Sequence, residues 1–469
     1  MWIPAAPGVE IASGPIVPAM PLRKIIRACC PPGLNSLLER LEKSDAVYRV
    51  VKGSFWIVIG ALISRGLMFA AIFFVSRVLG KTCFGEFGMI RSTVEMFAAL
   101  ANFGLWVTVA KHVAELRKAN PERAGRIIAL LELVAMATGG VVLLGTFLFA
   151  PWLSVHAMNA PHLSSAVQIG TVMLFLSPLN CVQTGALCGF EAFKTIAKAN
   201  LATGIISFPV LIAGAYFWDL PGAVLATVVN LCLGFTINRF AVRVECRRHK
   251  VPVSVSGSTG DFSILWKFSL PAALGAIVFS TANWTCGALL VNRPGGYGEM
   301  GIFSATNQWL SMLLFLPVLF GNVILPVLSE RLGQKDVKQS FGIMFLAIRA
   351  NALLVIPIAV IAGVASPWIM SLYGEGFRSG WPVLLIVLAS SGILALQMPV
   401  GQVIVASGKI WIGFAMNAVW AIMFVLLTLQ FVGKGAFGVA SARALCYAVQ
   451  AACSFAFAVW FIRAHRAKS

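Results

Sequence analysis

Apolar runs of about 20 residues recur along the whole chain, and this feature limits the fold more than any other. Each run is long enough to cross a hydrocarbon layer about 30 Å thick as an α-helix. Of the 469 residues, 59% are hydrophobic and only 11% are charged, and the mean hydropathy is +0.87. A water-soluble protein of this length needs more charge to cover its surface. The sequence therefore predicts an all-α polytopic membrane protein.

We predict about twelve transmembrane helices, and the short hydrophilic gaps between them alternate in charge. The inside gaps hold roughly 27 of the 36 Lys and Arg residues, whereas the outside turns hold about four. Because positively charged loops stay on the cytoplasmic side, we expect both termini to be cytoplasmic. The Lys and Arg residues that give the net charge of +19 thus set the topology through their distribution, and nucleic acid is not an expected partner. The predicted spans cover approximately residues 55–77, 87–110, 127–149, 166–187, 199–218, 223–241, 268–291, 302–328, 342–361, 381–405, 410–431 and 437–462.

The chain contains an internal repeat. The motif Phe84-Gly-Glu-Phe-Gly88 closely matches Tyr297-Gly-Glu-Met-Gly301, and each copy follows one long apolar span and opens the next. This predicts two lobes of about six helices that enter the membrane in the same orientation, an arrangement that in transporters places the substrate between the lobes. The expected segments are a cytoplasmic arm (1–50), the first lobe (51–242), a cytoplasmic linker (243–266), the second lobe (267–463) and a cytoplasmic tail (464–469).

The hairpin formed by the first two spans carries three charges of special interest, Arg65, Arg91 and Glu95. A charged side chain at the bilayer centre costs at least ~2.5 kcal/mol, so such a residue usually has a function. Arg65 lies near the middle of its span. It either binds a phosphate or carboxylate in a central cavity or has a structural role, paired with Glu95 or with a backbone carbonyl. Arg91 and Glu95 are four residues apart on one helical face. They form either a structural pair or a cluster in which the substrate competes with Glu95.

Three further charges lie within predicted spans: Glu132, Arg349 and Arg443. We assign substrate binding in the central cavity to Arg65, Arg91, Arg349 and Arg443, and proton or ion coupling to Glu95 and Glu132. The five histidines have no metal-ligand spacing, and no nucleotide-binding or hydrolase motif occurs. We therefore expect a protein that is not an enzyme and that holds no metal or cofactor.

Several segments of the first half resemble bacterial O-antigen and polysaccharide flippases of the multidrug/oligosaccharidyl-lipid/polysaccharide exporter superfamily. The resemblance is clear over residues 50–250, and it extends diffusely to the C-terminus. The segments that carry it are Phe55–Arg65, Phe74-Val-Ser-Arg-Val-Leu-Gly80, Phe84–Gly88, Leu105–Arg117 and Pro121-Glu-Arg-Ala-Gly-Arg126.

This resemblance implies that the chain moves an undecaprenyl-diphosphate-linked oligosaccharide across the bacterial inner membrane by alternating access. It also implies membrane lipid and the lipid-linked oligosaccharide as partners, together with a polysaccharide polymerase and a chain-length protein as candidates. Arg65 and Arg91 fall where related flippases for lipid-linked peptidoglycan precursors keep arginines. Two alternatives stay open: a cation-coupled multidrug extrusion antiporter, which usually has an acid in its first helix, and a membrane-embedded polysaccharide polymerase.

Overall fold

The computed structural model describes residues 45–102, 104–254, 270–333 and 337–466. Most of the predicted N-terminal arm, the second part of the predicted linker and residues 467–469 of the predicted tail lie outside the described residues. The chain divides into two compact units, Met1–Ser54 and Phe55–Ser469, and all contacts below lie within the second.

Helices make up almost all of the described chain, and the described residues contain no strand, which confirms the all-α class. The predicted linker start at residue 243 lies within α5, which continues to Arg248. The helices are α1 (Asp45–Asn102), α2 (Leu105–Ala119), α3 (Pro121–Trp152), α4 (Ser164–Gly189), α5 (Phe193–Arg248), α6 (Leu270–Val291), α7 (Gly296–Leu313), α8 (Phe315–Gly333), α9 (Val337–Val364), α10 (Ser366–Leu372), α11 (Trp381–Ala406), α12 (Ile410–Phe431) and α13 (Gly435–Arg466).

The longest helices are broken by sharp turns. Gly80 interrupts α1 with a φ of 73°, a value that glycine adopts without a Cβ penalty. Asp219 interrupts α5 with a φ of 47°. Nine segments of the described chain are apolar and long enough to cross a membrane, and three of them contain such a turn. Counting each of these three as two crossings gives twelve, and the count itself stays a prediction.

Several turns meet at one end of the helix bundle, which we call the Gly80 end. Lys81 Nζ lies 3.5 Å from Glu299 Oε1, and Glu299 Oε2 accepts a hydrogen bond of 2.8 Å from the backbone N–H of Ala436. The opposite end, which we call the Asn120 end, carries the loop between α2 and α3. There Arg117 forms a 2.5 Å ion pair with Glu191.

The buried apolar residues form one shared cluster and two separate ones in the described chain. The shared cluster contains residues of both halves, such as Phe84 and Phe377, and it fills the Gly80 end. Near the Asn120 end, the first half has its own cluster around Ile127, and the second half has another around Phe341. The two lobes are therefore joined by a common core at the Gly80 end and packed independently at the Asn120 end.

The two copies of the repeated motif pack directly against each other at the Gly80 end. A Cβ on Gly85 would overlap the backbone oxygen of Tyr297 and lie 2.8 Å from the backbone nitrogen of Gly301. A Cβ on Gly301 would overlap the backbone oxygen of Lys81. The backbones of α1 and α7 thus touch where they cross, because neither glycine has a side chain.

The Gly85→Ala variant should therefore destabilise the junction of the lobes. Its methyl group meets backbone atoms, which cannot rotate away, so we expect a loss of roughly 1–3 kcal/mol. Thermal unfolding of the purified protein measures this loss. The matched control is Gly66→Ala on the same helix, where an added Cβ meets nothing within 4 Å. Equal unfolding temperatures for both variants would contradict the crossing.

Candidate functional site

Arg65 lies at the junction of the two halves. Its side chain is exposed, and its guanidinium carbon lies 4.2 Å from the centre of the Phe315 ring of the second half. The ion pair of Glu95 is formed with Arg91 and not with Arg65. At mid-span depth, an exposed guanidinium that faces lipid is strongly unfavourable. The contact with Phe315 places the guanidinium of Arg65 where the two halves of the chain meet.

Arg91 and Glu95 form the pair that their spacing predicts. Arg91 Nε donates a 2.8 Å hydrogen bond to Glu95 Oε1 across one helical turn. Both side chains remain open to solvent, with exposed fractions of 46% and 62%. An exposed pair of this kind contributes little to stability, about 0.3–0.5 kcal/mol. An incoming anion can therefore separate the two residues at low cost.

The space between the lobes is closed at the Gly80 end by contacts between the halves. Ser76 Oγ donates to the backbone oxygen of Tyr373 at 3.1 Å, and Arg77 Nε donates to that of Leu372 at 2.7 Å. Deeper in the bundle, Trp284 Nε1 donates to Thr93 Oγ1 at 2.9 Å. At the Asn120 end, by contrast, the buried apolar residues of the two halves form separate clusters.

Glu132 lies apart from this space. It is buried on α3, with 8% of its surface exposed, and forms an ion pair with Arg239 of α5. The pair tethers two helices of the first lobe near the Asn120 end. Arg239 was not among the residues predicted from the sequence, although its spacing of four from Arg243 and eight from Arg247 is a visible signal.

Arg443 is the most deeply buried charge among the predicted site residues, with 1% of its surface exposed. Its Nη1 donates a 2.8 Å hydrogen bond to Asn307 Oδ1, and its guanidinium carbon lies 4.7 Å from the centre of the Phe303 ring. Nε and Nη2 are buried and have no hydrogen-bond partner. Arg443 therefore does not reach solvent in this conformation.

Arg349 is exposed on α9. Of the six predicted site residues, the structure brings Arg91 and Glu95 into contact with each other. Arg65 contacts the opposite lobe, while Glu132 and Arg443 each bond to a partner within their own lobe. The described part of the chain contains no cluster of three His, Cys, Asp or Glu side chains that could hold a metal ion.

A family model described as "Polysaccharide biosynthesis protein" matches residues 50–331, which is more than half of the chain. An EPS I polysaccharide export inner membrane protein of Ralstonia nicotianae is 24% identical over 384 residues, which cover 78% of this chain and 83% of that protein. A putative O-antigen transporter of Shigella flexneri is 22% identical over 367 residues, covering 77% of this chain and 85% of that protein.

The fold also matches solved transporters. The inward-facing conformation of a multidrug resistance MATE family transporter of the MOP superfamily superposes with a TM-score of 0.72. The match covers 89% of this chain and 99% of that transporter, at 16% sequence identity. This likeness supports the fold, and it leaves the substrate open.

The environment of Arg443 predicts that two substitutions have different effects. Arg443→Met fills a similar volume and removes a buried charge that lacks a carboxylate partner, so it should leave stability unchanged or raise it. Arg443→Ala leaves a void and should cost about 2–5 kcal/mol. Thermal unfolding in detergent compares the two variants. Equal losses in both would show that the fold requires the charge itself.

Proposed function

The chain belongs to the polysaccharide biosynthesis protein family, and from this membership we propose that it carries a lipid-linked oligosaccharide across the bacterial inner membrane. The proposed substrate is an oligosaccharide attached to undecaprenyl diphosphate. The oligosaccharide is one repeat unit of an O-antigen or an exopolysaccharide. The relatives named above are described as a polysaccharide export protein and a putative O-antigen transporter, which supports a carrier rather than an enzyme.

The observation that carries the proposal is that the exposed guanidinium of Arg65 lies beside Phe315 of the opposite lobe. The sequence predicts that Arg65 lies near the middle of its span. A guanidinium binds diphosphate through paired, charge-assisted hydrogen bonds, and a low-dielectric surrounding strengthens them. Because Arg65 contacts the second lobe, an anion bound there also senses the relative position of the lobes.

Arg91 is the second contact to the diphosphate, and its pairing with Glu95 determines whether it is available. The substrate diphosphate competes with Glu95 for Arg91, since their exposed pair is weak. Release of Glu95 leaves a carboxylate that takes up a proton or another cation during the return step. Arg349, Arg443 and Glu132 serve later steps: the arginines as contacts of the second lobe with substrate, and Glu132 as a further coupling residue.

The conformation supports alternating access between two states. Contacts between the lobes close the Gly80 end, while the apolar clusters are separate near the Asn120 end. We assign the Gly80 end to the outside, the Asn120 end to the cytoplasm, and residues 243–266 to a linker between the lobes. Substrate then enters from the inner leaflet, and a polymerase and a chain-length protein receive it on the other side.

The Arg65→Ala and Arg91→Ala variants should each lower the translocation rate about tenfold or more, since each removes a charge-assisted hydrogen bond to diphosphate. Arg65→Lys keeps the charge but loses the paired geometry, so it should lie between Arg65→Ala and the unmodified protein. The assay follows the flipping of an undecaprenyl-diphosphate oligosaccharide in vesicles that contain the purified protein.

The matched control is Arg378→Ala, which removes an exposed arginine at the Gly80 end, outside the space between the lobes. It should flip substrate at the unmodified rate. Normal rates for both Arg65→Ala and Arg91→Ala would refute the role of these arginines. Transport of a fluorescent organic cation, without movement of the lipid-linked sugar, would instead favour the antiporter.

The assigned orientation has its own test. A periplasm-dependent alkaline phosphatase fused after Ser469 should be inactive, whereas the same enzyme inserted in the turn at Lys434, beside Gly435, should be active. The opposite pattern would place the Asn120 end outside and reverse the direction of entry.

A further inference from the structure

The first lobe contains a cavity that lies away from the arginines of the first hairpin. A cavity of about 650 Å³ lies at the Asn120 end between α3, the end of α5 and the segment that follows α5. Glu132 lies in its wall, and neither Arg65 nor Arg91 does. Ligand binding in this cavity is therefore separable from binding by the hairpin arginines.

The wall of the cavity carries an excess of positive charge. Arg239, Arg243 and Arg247 are spaced four residues apart on α5, so they follow one helical face, and Lys250 continues the line. Like charges at this spacing destabilise a helix slightly. The row therefore favours an anion that bridges its members.

The carboxylate of the cavity cannot neutralise this row. Glu132 is engaged by Arg239 at the inner end, and its buried position keeps it from the other cations. Arg243, Arg247 and Lys250 are exposed, and none of them forms an ion pair with a described carboxylate. The nearby Glu245 is buried and accepts a hydrogen bond from Thr195. Three cations thus face the cavity without compensation.

Apolar surface next to the cations indicates where the anion comes from. Ile128, Val242 and Val253 line the same cavity. On the adjoining face of α5, Phe240 is 71% exposed and Val244 is 45% exposed. A row of cations beside exposed apolar side chains is typical of the boundary between lipid headgroups and acyl chains.

We propose that this cavity binds the phosphate of an anionic phospholipid, with Arg243, Arg247 and Lys250 holding the headgroup. The acyl chains extend along the apolar face that contains Phe240 and Val244. The bound headgroup connects α5 to the segment at Val251 and Pro252. The backbone oxygen of Pro252 packs against Gly125 at the start of α3. The lipid therefore stabilises the first lobe, and this role does not depend on the substrate proposed above.

The test uses the full-length protein, stripped of lipid in detergent. Phosphatidylglycerol, the neutral phosphatidylcholine and inorganic phosphate are added separately, and bound lipid is measured by native mass spectrometry together with the unfolding temperature. Of these three additions, we expect only phosphatidylglycerol to bind tightly and to raise the unfolding temperature. The Arg243→Gln/Arg247→Gln double variant should bind it about thirtyfold more weakly, at roughly fivefold per cation removed.

Arg248→Gln is the matched control. Arg248 is the next residue on the same helix and is highly exposed, but it does not line the cavity. It should retain the affinity and the temperature shift of the unmodified protein. Unchanged binding by the double variant, or an equal loss in Arg248→Gln, would overturn the proposal. A full temperature shift with inorganic phosphate alone would overturn the assignment to a lipid.

A folding defect in the double variant would not hide the result. Lys250→Gln changes one exposed residue beyond the end of the helix, and its unfolding temperature without lipid should equal that of the unmodified protein. It should still lose about fivefold in phosphatidylglycerol affinity. Undiminished affinity in this variant would also contradict the proposed headgroup site.

Discussion

The contact between Gly85 and Gly301 is the constraint on which the arrangement of the two lobes depends. Backbone touches backbone there, so α1 and α7 approach more closely than any pair of helices with side chains at the crossing could. Around this point the apolar residues of both halves merge into one core. The hydrogen bonds from Ser76 and Arg77 to the backbone of the second half are formed on the same side. At the opposite end, the buried apolar residues of the two halves form separate clusters.

The sequence predicts the helices well because their cause is local. Apolar runs of membrane-spanning length produce helices, and the turns expected at Gly80 and near Asp219 occur where the backbone leaves helical geometry. The Arg91–Glu95 pair follows from helical spacing alone. The contact of Arg65 with Phe315 could not be predicted, because it joins residues that are distant in sequence and depends on how the lobes pack. The same reason applies to Glu132, whose partner Arg239 lies on another helix.

The internal repeat was visible in the sequence, but two of its structural consequences were not. The two motif copies contact each other, which similarity alone does not reveal. The shift that carries Phe84 onto Tyr297 also carries Asn230 onto Arg443. Asn230 is buried and both of its amide atoms lack a partner, just as Nε and Nη2 of Arg443 do. Each lobe thus holds an unsatisfied polar group at the same place in its last long helix, where apolar packing would be more stable.

The position of the glycine crossing also determines how far each end of a lobe moves when the lobe rotates about it. A helix of 20 residues is about 30 Å long, so a rotation of roughly 10° about a pivot at one end moves the other end by about 5 Å. The crossing lies close to the Gly80 end, so the proposed alternating access would move the Asn120 ends of the lobes furthest. Under the proposed alternating access, small adjustments where α1 meets α7 would therefore produce much larger displacements at the Asn120 end.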